Sequence, residues 1–129
     1  ECNEGSVWEA AMFAGAKKLN NLMVIIDYNG TQAVGKSDDI MGYTSIEEKF
    51  ISFGWDACTV DGNSIQEFKN ALSNFDYPKN FKPLAVIAKT KTAAGIKLME
   101  GKHFWYYRRP TRDDLKEALY ELNEKPLYS

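Results

Sequence analysis

The feature that most limits the fold is the run Leu22-Met23-Val24-Ile25-Ile26-Asp27-Tyr28, whose first five residues are all apolar. A strand with one wet face alternates polar and apolar side chains, so an unbroken run belongs to a strand buried on both faces, as in a parallel sheet. Trp55 to Val60 and Leu84 to Ala88 read as two further strands. Helical spacing separates them: Val7 to Leu19 comes first, then a short helix through Phe50 and Phe53, then Phe68, Ala71, Leu72 and Phe75, and finally Leu115, Ala118, Leu119 and Leu122. Strands alternating with helices predict the α/β class, a parallel sheet with right-handed crossovers and helices on both faces.

Helix starts are marked by residues that satisfy free amide groups. Ser6-Val7-Trp8-Glu9, Ser45-Ile46-Glu47-Glu48 and Ser64-Ile65-Gln66-Glu67 fit the capping-box pattern, and Thr111-Arg112-Asp113-Asp114 caps the last helix. The first helix is apolar on nearly every face, which predicts cover on two sides, by its own sheet and by something else, for which another subunit is one candidate. Thr31 to Tyr43 is polar without a clear period and is predicted to be a long loop, a kind of segment that often carries function. In parallel sheets ligands sit beyond the carboxyl ends of the strands. That rule makes Asp27 to Thr31, Asp61-Gly62-Asn63 and Lys89 to Gly101 the candidate rim.

The 129 residues suit one domain spanning 1–129. A formal net charge of -2 argues against nucleic acid as a partner. No apolar run approaches the roughly 20 residues that span a bilayer, and no signal peptide stands at the start, so no membrane partner and a cytoplasmic location are expected. Cys2 and Cys58 are too few for a disulfide framework and wrongly spaced for zinc, so both are expected to be reduced thiols.

The stretch ECNEGSVWEAAMFAGAKKLNNLMVIIDYN resembles the cofactor-binding part of transketolase, in which a strand ending in Gly-Asp-Gly precedes a helix and the next strand ends in asparagine. The likeness continues through SIEEKFISFGWDACTVDGNSIQEFKNAL, VIAKTKTAAGI and the closing MEG, W and P-T segment. It implies a partial thiamine diphosphate-binding fold that starts just after the Gly-Asp-Gly strand, with the first metal-ligand aspartate upstream of Glu1.

By this resemblance Asn29 gives a side-chain oxygen and Thr31 a backbone carbonyl to Mg²⁺, which prefers oxygen ligands and bridges the diphosphate to the protein. Glu1 and Cys2, next to the Gly-Asp-Gly position, are implied to bind cofactor. Asn29-Gly30 also reads as an ordinary turn. Glu4 and Glu9 are implied catalytic residues at a dimer interface between active sites. Capping and a favourable helix-end charge, the former worth about 0.5–2 kcal/mol, explain the same two residues without any catalytic role.

The expected activity is transfer of a two-carbon ketol unit between sugar phosphates, with thiamine diphosphate and Mg²⁺. A second transketolase domain or subunit carrying the glutamate beside the pyrimidine completes the site in a dimer or heterotetramer, so the chain alone is expected to be inactive. The alternatives are the α subunit of a 2-oxo acid dehydrogenase and a non-catalytic α/β binding module. The closing segment departs from the family, which has a histidine after the tryptophan, implied to lie near the diphosphate and donor sugar. Here Tyr106 and Tyr107 follow Trp105, and His103 is the lone histidine. The cluster Phe104 to Tyr107 is expected to pack rather than bind sugar. Lys91, Lys97, Lys102, Arg108 and Arg109 could attract phosphorylated sugars or simply be solvated.

Overall fold

Every residue from Leu84 to Ala88 is at most 7% exposed. Burial of both side-chain sets at once requires a strand with neighbours on each edge and layers on each face. The computed structural model, which describes residues 1–73, 75, 79 and 81–124, has that arrangement. In chain order the elements are α1 (Gly5–Ala16), β1 (Met23–Tyr28), β2 (Thr31–Gln32), β3 (Gly35–Lys36), α2 (Ser37–Met41), α3 (Ile46–Ser52), β4 (Asp56–Asp61), α4 (Ile65–Ser73), β5 (Leu84–Lys89) and α5 (Arg112–Glu124). A 3₁₀ turn covers His103–Tyr106. The predicted span 1–129 thus ends in 125–129, outside the described residues.

Strand β5 lies between β1 and β4 and pairs with both in parallel, Val86 standing opposite Ile25 on one edge and Cys58 on the other. Alternate side chains serve two cores. Ala85 and Ile87 meet Ala11 and Ala14 of α1, Phe50 of α3 and Trp55, whereas Leu84 and Val86 meet Ala71 of α4. Helices therefore cover both faces, as the strand pattern predicts. In the first core Phe50 is packed edge-on to Trp55, with ring centres 5.0 Å apart, and Trp8 joins it at 5.5 Å. Helix α1 must come very close to the α3–β4 connection, and Gly15 permits it: a Cβ there would stand 1.9 Å from the Phe53 carbonyl oxygen.

Three of the four predicted caps form. Ser45 Oγ accepts from the Glu48 amide, Ser64 Oγ from the Glu67 amide, and Thr111 and Asp114 bond reciprocally through amide and side chain. The carboxylate of Glu67 departs from the box, accepting instead from the Asp61 amide at 2.9 Å.

The Ser6–Glu9 box is not formed. Helix α1 begins one residue before Ser6, with Glu4 at its N-cap and no side-chain cap bond. Tertiary packing overrides the local signal here: Trp8 is drawn into the core, and its indole nitrogen donates to the Cys2 carbonyl at 2.8 Å, folding the preceding chain back over the first turn. Of the predicted double cover for α1, the sheet supplies one side. Met12 and Phe13 on the other are 47% and 60% exposed.

The stretch Thr31 to Tyr43, predicted as a loop, holds an antiparallel pair of two-residue strands, β2 and β3, followed by α2. Elements of two and five residues are too short to show a sequence period. Trp55 also precedes β4 rather than opening it, buried at 2% exposure. Among the described residues, no helix is long and apolar enough to cross a membrane.

Candidate functional site

Because β1, β5 and β4 are parallel, their carboxyl ends share one side of the sheet. A cavity of about 700 Å³ opens there along β1, and its lining includes Glu1, Cys2, Asn29, Gly30, Thr31 and Tyr106. Asn29 follows directly on β1. Its Oδ1 accepts from the Thr31 amide at 2.9 Å and from Thr31 Oγ1 at 3.0 Å. This closes a small turn in which Gly30 takes a φ of +72°, a region costly for residues with a Cβ. The turn reading of Asn29-Gly30 is met, and the turn holds the Asn29 amide in the lining of the cavity.

Tyr106 reaches the same point from seventy-seven positions away, its hydroxyl lying 3.4 Å from Asn29 Nδ2 and 3.2 Å from Thr31 Oγ1. Next to it, the Tyr107 hydroxyl donates to the Ala33 carbonyl at the tip of the β2–β3 hairpin. These two residues, at the end of the 3₁₀ turn and just after it, reach the loop after β1 with their hydroxyls. Phe104 and Trp105 do pack, against each other and beneath the Arg108 guanidinium, which lies 4.8 Å from the Trp105 ring centre. His103 is not in the cavity lining. Its ring stands 5.5 Å from that of Tyr106, and its buried Nδ1 has no hydrogen-bond partner.

Cys2 lines the cavity as a neutral group, since burial above all pushes its thiol pKa up. It and Cys58 are both free thiols, as expected. Glu1 is exposed at the cavity rim. Glu4 and Glu9 are exposed at the head of α1 and outside the lining, so they do not join Asn29 and Thr31 within this chain. Asp27, also in the lining, accepts a hydrogen bond from the Thr90 hydroxyl beyond β5. The sequence placed Asp27 on the rim but carried no sign of this partner.

The other predicted rim segments meet in a second cavity of about 690 Å³, lined by Asp61, Asn63, Glu67, Lys91 and Glu100 among others. Its polar groups serve one another. Asn63 Oδ1 accepts from the Lys91 amide at 2.9 Å, and the Lys91 ammonium pairs with Glu100 at 3.2 Å. Arg108 is likewise held by Asp114 at 3.0 Å, and the Lys102 ammonium by the Leu98 carbonyl at 2.8 Å. These three cations have structural partners, which weakens the case for them as sugar-phosphate ligands.

Asn29 Oδ1 and the Thr31 backbone are oxygen donors of the hard type that Mg²⁺ takes. They form an incomplete set, and among the described residues no three His, Cys, Asp or Glu side chains gather in a way that could hold a metal. Asn29 Oδ1 and the Thr31 carbonyl could therefore supply two oxygen ligands to such a cation, and further ligands would have to complete its set.

The parallel sheet, with Asn29 directly after β1, agrees with the α/β thiamine diphosphate-binding fold that the resemblance implies. Residues 1–118 match the family model for the transketolase thiamine diphosphate-binding domain, and the chain belongs to that family. It is 34% identical over 125 residues to an apulose-4-phosphate transketolase subunit from Phocaeicola vulgatus, a match covering 97% of this chain and 44% of that protein. The corresponding protein of Actinobacillus succinogenes is 37% identical over 125 residues, covering 97% and 45%. Human transketolase is 35% identical over 95% of this chain and 19% of its own length. The chain thus spans less than half the length of these relatives. Among solved structures, transketolase of Campylobacter jejuni superposes with a TM-score of 0.81 at 28% identity, over 93% of this chain and 18% of that one.

Proposed function

We propose that this chain supplies the diphosphate and metal half of a transketolase active site, working in the cytoplasm on sugar phosphates as a single unit spanning residues 1–129. The observation that carries this reading is the position of Asn29, whose side-chain amide stands at the carboxyl end of β1 in the lining of the large cavity. Asn29 Oδ1 and the Thr31 carbonyl would hold Mg²⁺, with Gly30 allowing close backbone approach and Glu1 and Cys2 forming the adjoining wall. Thiamine diphosphate, when bound, supplies the electron sink that lets a two-carbon ketol unit leave one sugar and join another. The protein's own share is to hold the phosphates, fix their orientation and exclude water.

A partner domain or subunit carrying the glutamate beside the pyrimidine is part of this reading. The relatives from Phocaeicola and Actinobacillus are named as subunits, which supports it. So does the open side of α1, where Met12 and Phe13 are exposed beside Glu4 and Glu9. Those two glutamates would enter the site only across such an interface. Transketolase relatives favour this reading over a 2-oxo acid dehydrogenase and over a module without catalysis.

The test is ketol transfer from xylulose phosphate to an aldose phosphate, with Mg²⁺ and thiamine diphosphate, by the chain with and without its partner. Activity is expected only with both. Turnover by the chain alone, or none by the assembled protein with any sugar phosphate pair, contradicts the proposal.

A further inference from the structure

The contacts of Tyr106 close a ring whose direction can be worked out proton by proton. Asn29 Nδ2 has only protons to offer, so it donates to the Tyr106 oxygen at 3.4 Å. The Thr31 hydroxyl spends its single proton on Asn29 Oδ1 at 3.0 Å. Between the Tyr106 and Thr31 hydroxyls, 3.2 Å apart, the phenol is therefore the donor. Asn29 Oδ1 also accepts from the Thr31 amide at 2.9 Å, so both of its acceptor directions are taken by one residue.

A cation can reach Asn29 Oδ1 only by displacing one of these donors. The backbone amide is fixed by the turn, whereas the hydroxyl rotates, and the nearest acceptor for its proton is the Tyr106 oxygen. We infer that Tyr106 is a positioning residue for cation binding: it receives the Thr31 proton when Asn29 Oδ1 is taken up, and the reversal frees its own phenolic proton for an oxygen acceptor in the cavity. The phenol thereby couples a cation on Asn29 to an anionic oxygen beside it, with no change in its own charge. An ordinary packing tyrosine would show no such coupling.

This inference rests on the cofactor reading above, and the test separates the two. Thiamine diphosphate binding to the assembled protein is followed by calorimetry across a series of Mg²⁺ concentrations. Tyr106→Phe keeps the ring and removes the hydroxyl. It is expected to raise the Mg²⁺ concentration for half-maximal binding about five- to tenfold, the scale of one lost hydrogen bond, without lowering the thermal midpoint. Thr31→Val removes the competing hydroxyl, so the Mg²⁺ midpoint should stay at or fall below that of the parent. In that background Tyr106→Phe should shift the midpoint less than it does in the parent, because part of its role runs through the Thr31 hydroxyl. Tyr106→His, which keeps a donor and an acceptor, should recover much of the loss.

A parent that binds with normal Mg²⁺ dependence beside an unchanged Tyr106→Phe overturns this inference alone, as does an equal Tyr106→Phe shift in both backgrounds. A parent with no Mg²⁺-dependent binding overturns the cofactor reading and this inference with it.

Discussion

The indole nitrogen of Trp55 donates to the backbone carbonyl of Ala11 at 2.8 Å, joining the start of the β4 segment to the middle of α1 across a buried contact. Trp55 is 2% exposed and stacks edge-on against Phe50. Trp55→Phe keeps most of the apolar volume and loses the bond, so the chain should be destabilised by about 1–2 kcal/mol. Urea unfolding would measure this, and a loss well under about 0.5 kcal/mol would mean the bond contributes little beyond packing.

Gly15→Ala pits local propensity against packing. In an open helix the change gains about 1 kcal/mol. Here the added Cβ would stand 1.9 Å from the Phe53 carbonyl oxygen, a backbone atom with little freedom to move. The clash should win, for a net loss of about 1–3 kcal/mol, and Gly15→Ser should be at least as harmful. Thermal midpoints of the two variants against the parent give the sign.

The cap of α5 should appear in the acid limb of stability. The Thr111 amide, donating to the Asp114 carboxylate at 2.8 Å, and then the Thr111 side chain hold the Asp114 carboxyl below its ordinary value of 3.8, with Arg108 assisting. A lowered folded-state pKa means that the ionised form is favoured by folding. Its contribution is complete above about the ordinary value and disappears as the pH falls through the folded value below it. Asp114→Asn should therefore be less stable than the parent at neutral pH, and the gap should narrow as pH drops below 3.8. Thermal midpoints taken from neutral pH down to the acid transition test this. A gap constant with pH would show that the carboxylate charge is irrelevant to the cap.

How much of this was legible in the sequence depends on the range of the forces involved. The apolar run into Tyr28 and the buried stretch Leu84 to Ala88 declared a parallel sheet, because burial on both faces leaves no polar alternation to hide it. Caps at Ser45, Ser64 and Thr111 are local bonds between near neighbours and were equally readable. The expected cap at Ser6 fails because Trp8 is held by core contacts with Phe50 and Phe53, more distant in sequence than any capping pattern reaches. The short hairpin after Thr31 had too few residues to show a period. At the candidate site the sequence marked Asn29 and flagged Tyr106 as standing where a histidine was expected. It could not show that the phenol returns to Asn29, because a 77-residue separation leaves no pattern. The contact of Thr90 with Asp27 was invisible for the same reason, the two residues lying on neighbouring strand ends 63 positions apart.

The most direct test of the account is calorimetric titration of thiamine diphosphate into the assembled protein and its Asn29→Ala variant, each with Mg²⁺ and with a chelator. The parent should bind with Mg²⁺ and lose most affinity under the chelator, while Asn29→Ala should bind at least roughly tenfold more weakly even with Mg²⁺, about 1.4 kcal/mol for the lost ligand. Equal binding by parent and variant, or binding indifferent to the chelator, would show that the tip of β1 does not hold the cofactor's metal.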